Sequence, residues 1–144
     1  MAKILIADDH IVLREGLRAL LDSFEQWNVV AEASNGFEVL DLVEKHTPDL
    51  VILDLTMPKL SGFEVCQKLK GDSQTSGIMI LMVTALNELG DIERAVEAGT
   101  DDFLSKPVNK IELLKRVENM LTLRGVTDEL ERLRQYIEKM EGSR

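Results

Sequence analysis

Short apolar runs alternate with longer segments of helical period along most of this chain, and that alternation restricts the possible folds more than any other feature. Residues 3–7 (KILIA) read as a buried strand, and residues 11–24 then place Val12, Leu13, Leu17, Leu20 and Leu21 on one helical face. Residues 28–31 predict a second strand and Gly36–His46 a second helix. Residues 49–53 (DLVIL) predict a third strand, whose unbroken apolar run implies burial on both faces. Residues 61–69 read as helix, residues 78–83 (IMILMV) as another two-sided strand, residues 91–98 as a short helix ended by Gly99, and Asp102–Ser105 as a fifth strand before Pro107.

Five successive strand and helix units imply right-handed crossovers and a parallel sheet with helices on both faces. For five strands this is an α/β, flavodoxin-like, doubly wound sheet in the order 2-1-3-4-5, with ligands at the carboxyl ends of the strands. The length of 144 residues suits one such domain. Hydrophobic residues at 44% and charged residues at 30% match a packed globular chain and exclude disorder or low complexity. With 17 Lys+Arg against 26 Asp+Glu, the net charge of -9 repels nucleic-acid phosphates and anionic lipid, so direct nucleic-acid binding is not expected. Cys66 is the single cysteine, which leaves no disulfide framework and fits a reducing, cytoplasmic setting. No apolar run approaches the roughly 20 residues that span a bilayer, and the opening Met-Ala-Lys-Ile lacks a signal-peptide plan, so neither membrane insertion nor export is expected.

The C-terminal segment departs from the pattern. A helix starting near Asn109 need not stop near Leu121, because Leu123, Val126, Leu130, Leu133, Ile137 and Met140 follow at spacings of 3 and 4. This is a heptad seam with Leu123, Leu130 and Ile137 at a, Val126, Leu133 and Met140 at d, and Glu129 at g facing Arg134 at the next e. It favours a parallel two-stranded coil, and divides the chain into a domain over residues 1–122 and a stalk or linker over residues 123–144. The competing reading is an amphipathic helix folded back on its own domain after a bend at Gly125. Five basic and five acidic residues from Leu123 onward make the extension neutral, so the whole negative charge lies on the first 122 residues.

The strand ends carry the chemistry. Asp8 and Asp9 follow the first strand, Asp54 ends the third, Thr84 follows the fourth, and Lys106 follows the fifth. Three carboxylates within about 4 Å repel by about 4 kcal/mol per pair at an effective dielectric of 20, and a cation must offset that. An all-oxygen set with room for water suits Mg²⁺, with Lys106 and Thr84 placed to hold the oxygens of a transferring phosphoryl group. Each residue also has a plain structural use: Asp8 and Asp9 as helix caps, Thr84 as a β-branched strand residue, Lys106 as a surface lysine. His10 reads as a solvated loop histidine in preference to a ligand.

Asp8-Asp9, Asp54-Leu-Thr-Met-Pro-Lys-Leu-Ser-Gly62, Thr84-Ala85 and Asp102-Phe103-Leu-Ser-Lys106-Pro107 together resemble the receiver domain of two-component response regulators, the CheY-like superfamily, over about residues 2–122. The resemblance implies that Asp54 accepts a phosphoryl group from the phosphohistidine of a histidine kinase or phosphotransfer protein. It implies Mg²⁺ on Asp9, Asp54 and the backbone carbonyl of Thr56, with Asp8 acting through water. Lys106 would pair with the phosphoryl oxygens, Thr84 would hydrogen-bond them after transfer, and Phe103 matches the aromatic switch position. It also implies a cis Lys106-Pro107 bond and a relay through the face of the fourth helix, fifth strand and fifth helix, and the heptad seam adds the expectation of a parallel homodimer through the C-terminal helix. Asp8-Asp9-His10 and residues 14–18 look like receivers joined to helix-turn-helix outputs, while residues 98–103 and the seam look like receivers joined through a stalk to enzymatic outputs.

Three other readings fit less well. A phosphohydrolase with an aspartyl-phosphate wants a second Asp two residues after Asp54, where this chain has Thr56, so a self-modifying switch is expected in place of a turnover enzyme. Asp8-x-His10 matches part of a cobalamin-binding pattern, but Leu13 stands where that pattern has glycine, and no phosphate-cradling glycine loop exists. A phosphate-independent scaffold is opposed by the intact Asp54, Thr84 and Lys106. Thr56 and Leu86 are expected to border the site and set the phosphoryl lifetime, and Trp27 is expected to lie away from it.

Overall fold

The computed structural model describes residues 1–85 and 89–142, with side chains described for all of these except residues 89–91, 128 and 129. Strands β1 (Ala2–Ala7), β2 (Trp27–Ala33), β3 (Leu50–Asp54), β4 (Met79–Thr84) and β5 (Asp102–Ser105) alternate with helices α1 (Ile11–Asp22), α2 (Gly36–His46), α3 (Gly62–Gly71), α4 (Leu89–Ala98) and α5 (Lys110–Gly142). The strands form one parallel sheet in the order β2-β1-β3-β4-β5, the arrangement expected from the sequence.

Successive residues of a strand face opposite sides, and the central strands are apolar on both. Leu5, Val51, Leu53, Ile80 and Met82 face a core completed by Val39 and Val43 of α2, Phe63, Cys66 and Leu69 of α3, and Ala95 and Ala98 of α4. Their neighbours Ile4, Ile6, Leu50, Ile52, Leu81 and Val83 face a second core completed by Leu17 and Leu21 of α1 and Leu113, Val117 and Met120 of α5. Two cores of fully buried Leu, Ile, Val and Met make the sheet a rigid platform whose carboxyl edge holds side chains in fixed positions.

Local signals set the helix starts. Asn35 accepts from Glu38 N at 3.0 Å, Ser61 and Glu64 form a reciprocal capping box, and Asn109 accepts from Glu112 N at 3.1 Å. Helix α1 is the exception: its N-cap is His10, which makes no side-chain cap. The plain use of Asp8 and Asp9 as caps for this helix is therefore not the one adopted.

Helix α5 corrects the folded-back alternative. It runs unbroken through Gly125, whose missing Cβ faces open space, and its 33 residues extend about 50 Å at 1.5 Å per residue. Leu123, Val126, Leu130, Leu133, Ile137 and Met140 are each between 47% and 61% exposed, so the seam does not pack on its own domain. Arg124 anchors the root of this extension: its Nη1 lies 2.8 Å from Asp49 Oδ1 and its Nε donates to the Gly77 carbonyl at 3.2 Å. Arg134 pairs with Glu131 and, at 2.6 Å, with Glu138 on its own helix, while the Glu129 half of the expected interhelical pair lies outside the described side chains.

Candidate phosphoryl-acceptor site

The parallel register brings the strand ends to one edge. Asp54 is the last residue of β3, opposite Val83 of β4, and Thr84 is the next residue along. Thr84 pairs with Ser105, and Lys106 N donates back to the Thr84 carbonyl at 2.7 Å, which fixes where the lysine leaves β5. The Lys106-Pro107 bond is cis, as the resemblance implies. Asp8 N donates to Ala33 O at 3.0 Å, so the first acidic residue is held just beyond the end of β1.

Three polar side chains are buried here: Asp8, Asp54 and Thr84. Asp54 is only 1% exposed, and neither of its carboxylate oxygens has a hydrogen-bond partner of good geometry. Lys106 Nζ stands 3.4 Å from Asp54 Oδ1 and donates to Asp8 Oδ2 at 3.2 Å. Desolvation pushes the Asp54 carboxyl above the usual aspartate range, the Asp8 carboxylate adds to this, and Lys106 and the Thr56 backbone offset only part. Burial alone would lower the Lys106 ammonium, but Asp54 and Asp8 outweigh it and hold the lysine above its ordinary value. A buried acid left short of partners is not there to stabilise the fold.

One ligand atom from each of Asp8, Asp9, His10 and Asp54 lies within 4.8 Å of the others. The three carboxylates fit the expected Mg²⁺ set, because the two orphaned Asp54 oxygens are the acceptor-only groups that a hard cation satisfies. Asp9 is half-exposed, so this side of the cluster opens to solvent. Thr56 is exposed beside the acceptor, and Phe103 is half-buried on β5 against the α2–α4 core. Trp27 begins β2 at the opposite end of the sheet, away from the site, and Leu86 lies outside the described residues.

Other contributors carried weaker signals. His10 is not simply solvated: although 69% exposed, its Nδ1 lies 3.1 Å from Asp8 Oδ1 and 3.2 Å from Asp9 Oδ1. Arg14, one turn into α1, donates to the Asp8 carbonyl at 2.7 Å and pairs with Glu32 at 3.1 Å, steadying the acidic loop. Glycine also shapes the edge. A Cβ on Gly62 would stand 2.5 Å from the Asp54 carbonyl oxygen, and one on Gly36 would stand 2.3 Å from the Leu60 carbonyl. Only residues without side chains let the backbone after β3 approach Asp54 and α2 this closely.

A family model described as the response regulator receiver domain matches residues 4–118. The chain belongs to the response regulator receiver family. It is 36% identical over 129 residues to the response regulator PleD of Caulobacter vibrioides, covering 90% of this chain and 28% of that protein. It is 40% identical over 119 residues to the response regulator MprA of a Mycobacterium species, covering 83% of this chain and 50% of that one. The chain thus spans half or less of the length of these relatives. Among solved structures, a response regulator from Chloroflexus aurantiacus superposes with a TM-score of 0.78 at 32% identity, covering 84% of this chain and 98% of that one. Receiver domains are signalling modules served by histidine kinases or phosphotransfer proteins, and they bind Mg²⁺ at an acidic pocket. No described helix is long and apolar enough to cross a membrane.

Proposed function

We propose that this chain is a phosphorylatable switch of a two-component system, with Asp54 as the acceptor. The observation that carries the reading is the 1% exposed Asp54 carboxylate, without a hydrogen bond of good geometry and 3.4 Å from Lys106 Nζ at the carboxyl edge. An Asp54 oxygen attacks the phosphorus of a phosphohistidine on a kinase or phosphotransfer protein. The new O–P bond forms as the N–P bond breaks, its electron pair stays on the histidine nitrogen, and the imidazole takes a proton from solvent as it leaves. Asp9, Asp54 and the Thr56 carbonyl would hold Mg²⁺, with Asp8 acting through water, and the bound ion would supply charge neutralisation for the phosphoryl oxygens. Lys106 moves from its carboxylate partners to those oxygens, Thr84 hydrogen-bonds them, and Phe103 follows into the space that Thr84 vacates.

The change then reaches the face of α4, β5 and α5. Residues 1–122 form the switch, and residues 123–144 form a stalk that pairs in parallel with a second copy through the exposed heptad seam. Hydrolysis of the acyl phosphate resets the switch, so the chemistry is self-modification and not turnover. The net charge of -9 and the lone cysteine support a cytoplasmic protein that does not itself bind nucleic acid.

The test is incubation with acetyl phosphate, in Mg²⁺ and in chelator, followed by intact mass and peptide mapping. A single Mg²⁺-dependent adduct on the Asp54 peptide, lost in Asp54→Asn, is the expected result. An adduct on the same peptide in Asp54→Asn refutes the assignment. No adduct on a folded, Mg²⁺-binding protein leaves the phosphate-independent scaffold as the better reading.

A further inference from the structure

We propose that Arg14 is a positioning residue for phosphoryl transfer: it pins the peptide plane that joins Asp8 to Asp9 and, through Asp8, aims Lys106 at the acceptor. The inference rests on the reading of Asp54 as the acceptor and adds to it a residue outside the strand-end cluster. Asp8, Asp9 and His10 lie between the end of β1 at Ala7 and the start of α1 at Ile11, beyond the strand's own ladder. Their backbone needs other partners to hold it, because a turn of one peptide plane re-aims the side chains on both sides of it.

The Asp8 carbonyl and the Asp9 N–H belong to one planar peptide unit. Arg14 Nη1 donates to that carbonyl at 2.7 Å, and Asp8 N donates to Ala33 O at 3.0 Å, so the peptide on each side of Asp8 is tied down. The guanidinium is itself held, with Nε 3.1 Å from Glu32 Oε1 and the side chain only 15% exposed. Glu32 is clamped in turn by Arg18, whose Nη1 lies 2.6 Å from the other carboxylate oxygen, Oε2. A rigid planar fork with Nε fixed on Glu32 leaves Nη1 little freedom, and it is aimed at the Asp8 carbonyl. From Asp8 the line continues to the acceptor: Asp8 Oδ2 accepts from Lys106 Nζ at 3.2 Å, and that ammonium stands 3.4 Å from Asp54 Oδ1.

A hydrogen bond from an ionised donor is roughly twice as strong as a neutral one, so the Arg14 contact is a firm restraint on a short loop. The contacts of Arg14 are with Glu32 and the Asp8 backbone, and it acts on the acceptor only through them. Loss of Arg14 should therefore slow the transfer step and leave capture of a small phosphodonor unchanged. Arg18 supplies the contrast, because it shares Glu32 and adds Asp22 at 3.5 Å without touching the acidic loop.

The test uses the full chain and compares wild type, Arg14→Ala, Arg14→Lys and Arg18→Ala in labelling by acetyl phosphate with Mg²⁺. Misplacing reacting groups by about 1 Å can cost on the order of 100-fold, so Arg14→Ala should lower the limiting rate by roughly tenfold or more. The half-saturating acetyl phosphate concentration should stay within about twofold, since Arg14 does not touch the donor. Arg14→Lys keeps the charge but cannot bridge Glu32 and Asp8 through a fork, so it should stay below about half the wild-type rate. Arg18→Ala, which breaks a half-exposed pair, should stay within about twofold of wild type. Hydrogen exchange in chelator gives a readout free of phosphate and metal: the amides of residues 8–10 should quicken in Arg14→Ala and not in Arg18→Ala. Equal slowing in Arg14→Ala and Arg18→Ala would mean that the Glu32 cluster merely stabilises the fold, and it overturns the proposal. Full recovery in Arg14→Lys would reduce Arg14 to a local charge and overturns it too. Wild type that takes up no phosphoryl group on Asp54 fails the acceptor reading and this proposal with it, whereas labelled wild type matched by Arg14→Ala fails this proposal alone.

Discussion

Replacing Asp54 with asparagine should make the metal-free protein more stable, although it removes the proposed acceptor. Three contributions decide the sign. The Asp8 and Asp54 ligand atoms lie within 4.8 Å, which at an effective dielectric of 20 amounts to about 3.5 kcal/mol of repulsion. Lys106 Nζ at 3.4 Å returns about 5 kcal/mol of attraction on the same scale. These nearly cancel, and the desolvation of an almost fully buried carboxylate remains, at several kcal/mol per ion. Asparagine removes that cost and leaves Lys106 its 3.2 Å partner on Asp8. Urea unfolding in chelator at neutral pH should therefore show Asp54→Asn more stable by about 1–3 kcal/mol, with little change in the slope.

Saturating Mg²⁺ should reverse much of the gap, since a ligand at about 100 times its Kd adds about 2.7 kcal/mol to the state that binds it. The pH dependence has a definite sign. The folded Asp54 carboxyl titrates above its unfolded value, so in that window the native state binds more protons and stability falls as pH rises. The advantage of Asp54→Asn in chelator should accordingly shrink on acidification through the raised Asp54 pKa. A variant less stable than wild type in chelator would mean that the Lys106 pair outweighs desolvation, and the account of Asp54 as a strained, waiting acceptor would fail.

Three further outcomes follow from single contacts. Leu130→Asp with Ile137→Asp places two charges on a seam whose residues are 61% and 47% exposed, so the fold should survive while light scattering falls to the monomer mass; an unchanged mass removes the coiled-coil dimer. Gly62→Ala drives a Cβ to 2.5 Å from the Asp54 carbonyl oxygen and should cost about 1–3 kcal/mol in urea unfolding while slowing acetyl-phosphate labelling; wild-type stability would refute the close approach. Arg124→Ala breaks a partly exposed pair with Asp49 and should cost no more than about 1 kcal/mol. Hydrogen exchange in the variant should quicken along residues 121–130, and unchanged exchange would show that the clasp does not hold the stalk root.

The sheet order was readable because its evidence is local and repeated. Each two-sided apolar run could only be a buried strand, and each was separated by a segment of helical period. Gly36–His46 and Asp102–Ser105 appear with the bounds the sequence suggests, whereas α3 runs two residues past Leu69 and α4 begins two before Asp91. Convergence of Asp8, Asp54, Thr84 and Lys106 was readable too, since parallel strands send their ends to one edge. The approach of Gly36 to Leu60 was not, because it depends on how the loop after β3 folds across α2. His10 is the exposed loop histidine expected, but its contacts were not readable, for a related reason. Its exposure follows from its loop, but the turn of Nδ1 toward two carboxylates is a side-chain choice that residue spacing does not encode.

Asp54 and the seam are both unfavourable in the isolated chain, one as a buried carboxylate whose pair with Lys106 does not offset its desolvation and the other as an exposed apolar stripe, and the same helix lies between them. Leu113, Val117 and Met120 bury the first turns of α5 in the core shared with Leu50, Ile52, Leu81 and Val83. Helix α5 packs on β3 and β4, the strands that end in Asp54 and Thr84. At the amino end of β3, Asp49 accepts from Lys3 N through one oxygen and grips Arg124 through the other. Close-packed interiors have few small adjustments available, so a displaced Thr84 or Lys106 must be absorbed by the strands or passed to α5. Because α5 is unbroken from Lys110 to Gly142, a rotation of its buried third turns the whole seam with it. In the proposed parallel dimer, the heptad register would convert that rotation into a better or worse fit with the second helix.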